Sequence, residues 1–297
     1  MRIVITGAGG FVGRALLARF GDAHDIVAVD SKLDGIDGIE GDIADPAIIA
    51  QAFAAGCDAV VHLATVPGGA AELDPALAKR VNVDATMALV EAAAGAGQRP
   101  KFIFASSIAV FGEPMPSAVD DSTAVAPQLL YGAHKAMMET WIATQSRRGA
   151  IQGLSLRLPG IVARPKAPSG MKSAFMSNIF HALRSGEEFV APVSPDATMW
   201  LMSADRISRN ISHALSLDAS GQTITLPALR VGFSELVATI ARQTQSSADL
   251  VSYAPDAALE EAFGRLPPLS TASADSLGFS HDGTLDKLVA AALSGIK

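Results

Sequence analysis

Cysteine, aromatic residues and positive charge are all scarce in this chain, and each shortage removes a class of protein. One cysteine, Cys57, stands among 297 residues, so no disulfide framework forms within the chain and a reducing, cytoplasmic setting is expected. Cys57 precedes the apolar run AVVHLA, where it reads as a small buried residue rather than a nucleophile. Aromatics are 5% of the residues and the formal net charge is -7, which leaves few stacking platforms and no basic face for nucleic acid or an anionic membrane. The six histidines show no H-E-x-x-H or paired Cys/His spacing, so no metal site is expected. No apolar run is long enough to span a bilayer, and MRIVIT enters a glycine cluster without the sections of a signal peptide. A small molecule is the expected partner.

What is present is an alternation of apolar strand-length runs with amphipathic helix-length stretches. The strands are RIVIT (2–6), DIVAVD (25–30), a short piece ending at GDI (41–43), AVVHLA (59–64), KFIFASS (101–107) and LSLRLPGIV (154–162). Continuous rather than alternating hydrophobicity suits strands covered on both faces, hence an α/β fold with a doubly wound parallel sheet of the Rossmann kind. FVGRALLARF, PALAKRVNVDATMALVEAAAGAG and YGAHKAMMETWIATQSRRG read as helices between them. After Arg164 the texture changes to RPKAPSGMKS and shorter mixed elements. We therefore expect a nucleotide-binding domain over 1–164 and a smaller, mainly substrate-binding region over 165–297, partly interleaved with the sheet.

The cluster TGAGGFVG fails the G-x-G-x-x-G pattern, because Val12 stands where the last glycine belongs, but fits G-x-x-G-x-x-G at Gly7, Gly10 and Gly13. A strand, a glycine turn and a helix in that order supply backbone N–H groups and a helix dipole aimed at a pyrophosphate. Asp30 closes the second strand, where a carboxylate accepts hydrogen bonds from ribose hydroxyls and repels a 2′-phosphate, so NAD is expected over NADP. Lys32 is the residue that argues the other way.

Tyr131 and Lys135 stand one turn apart on one face of a helix. A tyrosine is a poor base at neutral pH, and an adjacent ammonium stabilises its phenolate, so Tyr131 is suited to take a proton from a substrate hydroxyl. Ser106 and Ser107 end the strand KFIFASS at the sheet edge where ligands bind. A serine there either hydrogen-bonds the reacting oxygen or caps the next turn.

TGxxGxxG (6–13), Asp30, GDI (41–43), HLA (62–64), N-V-x-x-T (82–86), SSxxVFG (106–112) and YxxxK (131–135) together resemble the extended short-chain dehydrogenase/reductase superfamily. The resemblance implies a seven-stranded Rossmann sheet, a small substrate domain and a catalytic trio of Ser107, Tyr131 and Lys135. It also implies cofactor contacts from Gly7, Gly10, Phe11, Val12, Gly13, Asp30, Asp42, Ile43, Leu63, Ala64, Asn82, Tyr131, Lys135 and Pro159. A homodimer is implied as well, paired through the helices of Asn82 and Tyr131, for which Ala136, Met137, Trp141 and Ile142 offer an apolar stripe; the same stripe would serve equally to pack on the sheet.

Nucleotide-sugar epimerases and dehydratases of that superfamily carry an asparagine after an L-R-Y-F run; this chain has Leu156-Arg-Leu-Pro-Gly160. GGAAELD (68–74), LRLPGIVARPKAP (156–168), SGEEFVAPVSPDATMWLMS (185–203) and ITLPALRVGFSELV (224–237) are more similar to the D-erythronate dehydrogenase group. That resemblance implies NAD-dependent oxidation of the C2 hydroxyl of a small sugar acid to a 2-oxo acid, with a nucleotide-sugar epimerase or dehydratase as the alternative. Such an acid wants cations and hydroxyl donors, which Arg164, Ser169 and Lys172, with Ser107 and Tyr131, are placed to supply. Two departures from that group, Lys166-Ala-Pro-Ser169 in the loop and Met199 before Trp200, bear on which acid is accepted.

Overall fold

The computed structural model describes residues 1–112, 115–166 and 172–296. The chain divides into two compact units. One comprises Met1–Glu113, Ala124–Leu158 and Ser208–Thr225, the other Pro114–Thr123, Pro159–Ile207 and Leu226–Lys297.

In chain order the strands among the described residues are β1 (Arg2–Thr6), β2 (Asp25–Asp30), β3 (Ile39–Glu40), β4 (Ala59–His62), β5 (Lys101–Ser107), β6 (Gln152–Leu158), β7 (Gly160–Val162), β8 (Phe189–Ala191), β9 (Thr198–Ser203), β10 (Gln222–Thr225), β11 (Leu229–Gly232) and β12 (Val251–Tyr253). The first unit is built on a seven-stranded sheet in the order β10-β6-β5-β4-β1-β2-β3, every pairing parallel. Strand order reverses between β1 and β4, and in such sheets ligands bind beyond the carboxyl ends of the strands at that reversal.

The helices of this unit include α1 (Phe11–Phe20), α2 (Pro46–Phe53), α3 (Gly68–Leu73), α4 (Pro75–Lys79), α5 (Ala85–Ala96) and α6 (Leu130–Arg147). Local chemistry sets several starts. Asp45 and Asp74 accept hydrogen bonds from Ala47 N and Leu77 N, each followed by a proline whose missing N–H costs nothing in the first turn. Val4, Val60, Phe102, Leu89 and Ile142 meet in the core between sheet and helices. Full burial of such side chains is worth roughly 1.5–3 kcal/mol each.

The structure corrects three expectations and decides between the alternatives of a fourth. The strand read across 154–162 is two: Pro159 offers no N–H to a ladder, β6 stops at Leu158, and β7 pairs with β9 in a separate three-stranded sheet of the second unit. The strand before α2 covers Ile39–Glu40, while Asp42 belongs to a turn in which its carboxylate accepts from Ala44 N and its carbonyl from Asp45 N. The long helix read from Pro75 is α4, a π-helical turn over Arg80–Asp84, and α5. Of the stripe that would serve either a partner or packing on the sheet, Ile142 takes the second part and lies in the core at 1% exposure, whereas Met137 on the same helix is 53% exposed.

The second unit has its own core, in which Ile179, Phe180, Leu201, Phe233 and Leu236 meet, with a sheet of order β11-β9-β7 and the pair β12-β8. No helix among the described residues is long and apolar enough to cross a membrane.

Candidate active site

The glycine cluster forms a closed turn between β1 and α1. Gly7 has φ +73°, and a β-carbon on it would lie 2.6 Å from Ala64 N at the end of β4. One on Gly13 would lie 2.3 Å from Gly7 O and 2.6 Å from Ala8 O. Glycine is therefore demanded here by contact, not only by flexibility. Gly10 caps α1 and, as a glycine, makes no side-chain hydrogen bond to its first turn, an arrangement suited to an anion at the N–H groups of that turn. Asp30 ends β2 beside this turn: Oδ2 accepts from Gly9 N at 2.9 Å and Oδ1 from Lys32 N at 3.2 Å. A carboxylate has about four lone-pair sites, so capacity remains for ribose hydroxyls. Lys32 is drawn toward Asp34 at 3.2 Å. A dinucleotide fits this cradle.

Asp42 is exposed and held by Arg80 at 2.6 Å; the hydrogen bond from Ala44 N, with Arg80, keeps its carboxyl below the usual range. Ile43 is buried in the core. Leu63 and Ala64 continue β4 toward the turn of Gly7. Asn82, in the π-helical turn, is committed through both ends of its amide: Oδ1 accepts from Val66 N at 2.7 Å and Thr65 Oγ1 at 3.0 Å, and Nδ2 donates to Val66 O at 3.0 Å. It thereby holds the loop that leaves β4.

Tyr131 lies in the first turn of α6, and the Lys135 Nζ is 5.5 Å from its ring centroid. That ammonium donates to Ala105 O at 2.7 Å and lies 4.6 Å from the centre of the Phe104 ring. Burial lowers the Lys135 pKa to about 7, opposed by the carboxylate of Glu139. Ser107 closes β5 and accepts from Ala109 N at 3.1 Å; as a hydroxyl it retains a proton to donate. The structure thus brings the trio to the carboxyl end of one sheet. Cys57, at the other end of β4, is buried, and burial pushes its thiol up to about 11, the opposite of a nucleophile's environment.

Two polar groups escaped a reading of the sequence for chemistry. His62 is buried, its ring nitrogens 2.6 Å from Thr6 Oγ1 and 2.8 Å from Thr86 Oγ1, and Thr86 in turn donates to Asn82 O. Burial, with Lys135 nearby, lowers its pKa to about 3, so the ring is neutral. Glu139 is also buried, bridging Ser106 and Arg157. The available signals were a histidine inside the apolar run AVVHLA, and an arginine inside LSLRLPGIV with a glutamate one turn beyond Lys135.

Pro159, Arg164 and Lys172 belong to the second unit. Arg164 offers its carbonyl to His181 Nε2 at 2.6 Å, and Lys172 is exposed on a single 3-10 turn. Ser169 lies outside the described residues.

A profile of the NAD dependent epimerase/dehydratase family matches residues 3–216. The chain belongs to that family. As a member of this epimerase/dehydratase family, of extended short-chain dehydrogenase/reductase type, it has relatives along its whole length. D-erythronate dehydrogenase of Cupriavidus necator is 34% identical over 98% of this chain and 97% of its own, and that of Haemophilus influenzae 30% over 97% and 98%. Among solved structures, a nucleoside-diphosphate-sugar epimerase from Agrobacterium tumefaciens superposes with TM-score 0.87 at 28% identity over 97% of this chain and 92% of its own. A GalE-like L-threonine dehydrogenase from Cupriavidus necator, at TM-score 0.88 and 21% identity over 100% of both chains, shares the fold.

Proposed function

We propose that the protein is an NAD-dependent dehydrogenase that oxidises the C2 hydroxyl of a small sugar acid, D-erythronate or a near analogue, to the 2-oxo acid. The observation that carries the chemistry is the buried Lys135 ammonium beside the Tyr131 ring; the full-length similarity to D-erythronate dehydrogenases supports the substrate class. Tyr131 is the general base, and the ammonium of Lys135 stabilises its phenolate. Ser107 donates a hydrogen bond to the reacting oxygen and so orients the hydroxyl toward Tyr131. Bound NAD supplies the hydride acceptor. The cradle of Gly7, Gly10, Phe11, Val12 and Gly13 takes the pyrophosphate, Asp30 the adenosine ribose and Asp42 with Ile43 the adenine. Leu63, Ala64 and Asn82 line the cofactor site, and Pro159 faces the nicotinamide. Arg164, Ser169 and Lys172 recognise the substrate carboxylate, within a region from 165 onward given mainly to substrate.

The similarity to the Agrobacterium epimerase favours a second reading, interconversion of a nucleotide sugar on tightly held NAD. Against it, position 160 is glycine, which has no side chain to take the part of the diphosphate-binding asparagine of those enzymes, and a β-carbon there would lie tightly, 3.1 Å from Trp200 O.

The test follows NADH absorbance with erythronate, threonate, longer aldonic acids and UDP-sugars. Reduction of NAD is expected with a sugar acid, falling about 1,000-fold in Tyr131→Phe, within the usual range for loss of a general base. No reduction with any acid, accompanied by interconversion of a UDP-sugar, would replace this reading by the second.

A further inference from the structure

Behind the trio lies a second polar layer that the chemistry so far leaves unused. Glu139 stands one turn beyond Lys135 on α6, its side chain 7% exposed. Oε1 accepts from Ser106 Oγ at 2.5 Å and from Arg157 Nε at 2.9 Å, and Oε2 accepts from Arg157 Nη2 at 2.8 Å. Ser106 and Arg157 are paired residues on β5 and β6, and the guanidinium lies 5.2 Å from the centre of the Phe111 ring. One carboxylate thus ties together three elements at the sheet edge. Its neighbour Lys135 is tied to Ala105 O, so two consecutive residues of β5, immediately before Ser107, are fastened to two consecutive turns of α6.

We propose that Glu139 is a positioning residue for the base: its carboxylate, latched to β5 through Ser106 and to β6 through Arg157, holds the Lys135 ammonium in register beneath Tyr131 and keeps it charged. The proposal rests on the reading of Tyr131 as the base. The charged and titratable groups around Lys135 are Tyr131, His134 and Glu139 on α6 and His62 on β4, with Arg157 on β6 paired to Glu139 and Glu72 of α3 accepting from Leu130 N at the start of α6. His62 is neutral, so the carboxylate of Glu139, one turn away, is what opposes the burial of Lys135 in part. A buried ion pair adds little stability on its own, and its removal from one side leaves the other charge uncompensated. Glu139→Gln would remove the anion that opposes the burial of Lys135, driving the ammonium to lose its proton and the phenolate to lose its partner.

The chain has two tyrosines, Tyr131 and Tyr253. In a Tyr253→Phe background, which retains the ring packed against Phe233, phenolate absorbance in the near ultraviolet titrates Tyr131 without any substrate. Glu139→Gln is expected to raise that midpoint by roughly one pH unit, a tenfold loss of phenolate at a given pH, and Glu139→Asp by less. A folded Glu139→Gln with an unmoved midpoint overturns the proposal. Should the glutamine variant fail to fold, a folded Glu139→Asp with no rise overturns it equally. A raised midpoint with no sugar acid oxidised would remove the substrate assignment and leave this inference standing; oxidation with an unmoved midpoint would do the reverse.

Discussion

A lysine enclosed by protein gives up part of its affinity for a proton, and Lys135 shows the cost of holding a base ready. Its pKa is lowered to about 7 by burial. The folded state therefore binds that proton less well than the unfolded chain, a penalty absent above the unfolded pKa near 10.4 and complete once pH falls below about 7. Lys135→Met removes that burial penalty and should leave stability at pH 7 no lower than before, while abolishing turnover. Urea denaturation at pH 7 and an NADH assay on one preparation check both; a less stable variant would mean that the bond to Ala105 O outweighs the burial. His62 obeys the same sign. Its pKa of about 3 lies below the ordinary value, so its contribution is present above about pH 6.5 and lost on acidification. Between pH 7 and 5 this buried ring should cost the protein about 2 kcal/mol, and His62→Gln should flatten that part of the stability profile. Parallel profiles for the two proteins would place the acid sensitivity elsewhere.

At the level of the elements, the glycine turn shows how one helix is seated. Gly13 faces Gly7 O and Ala8 O closely enough that a methyl group has no space, and both obstacles are backbone that cannot rotate away. Gly13→Ala should cost about 3 kcal/mol, the upper end for overpacking, and weaken NAD binding as α1 lifts from the turn. Denaturant midpoints and NAD titration by fluorescence check this; a variant of unchanged stability would show that the turn is looser than its contacts suggest. The elements of the first unit that were legible have a local cause. The bounds of α1 and β5 follow from apolar runs ending at glycine or at a polar edge, and the helix read from Pro75 does begin there, after Asp74. The π-helical turn was not legible, since nothing in RVNVD distinguishes it from α-helix; its cause is tertiary, in a region where Asn82 reaches Val66 and Thr65. The division of LSLRLPGIV was half-legible: Pro159 announces a break, but which sheet Gly160–Val162 joins depends on β9, about forty residues later in the chain by ordinary strand pairing.

Over the whole molecule, each unit has its own core, and the glycine cradle, Asp30 and the trio all lie in the first. NAD binding should therefore stabilise by mass action, by about 2.7 kcal/mol at a hundredfold excess over its dissociation constant. NADP at the same concentration should give a much smaller thermal shift, because the Asp30 carboxylate opposes a 2′-phosphate and Lys32 is paired with Asp34. Equal shifts from the two nucleotides would remove Asp30 from its assigned part. The surplus of acidic groups, -7 overall, does not prevent anion binding at α1, since a helix end acts over a few ångströms while distant surface charge is screened.

The amino-acid sequence alone specified the parallel α/β architecture, the glycine turn, the carboxylate at the end of β2 and the tyrosine and lysine one turn apart. These are properties of spacing along the chain, where period, composition and short-range sterics act. Folding decided what long-range contact decides. It committed the amide of Asn82 to the loop after β4, enclosed a neutral His62 between Thr6 and Thr86 and drew Ile142 into the core. It also joined Ser106, Glu139 and Arg157, which lie far apart in sequence, around one buried carboxylate. Burial and pairing depend on which elements pack together, and no local pattern encodes that.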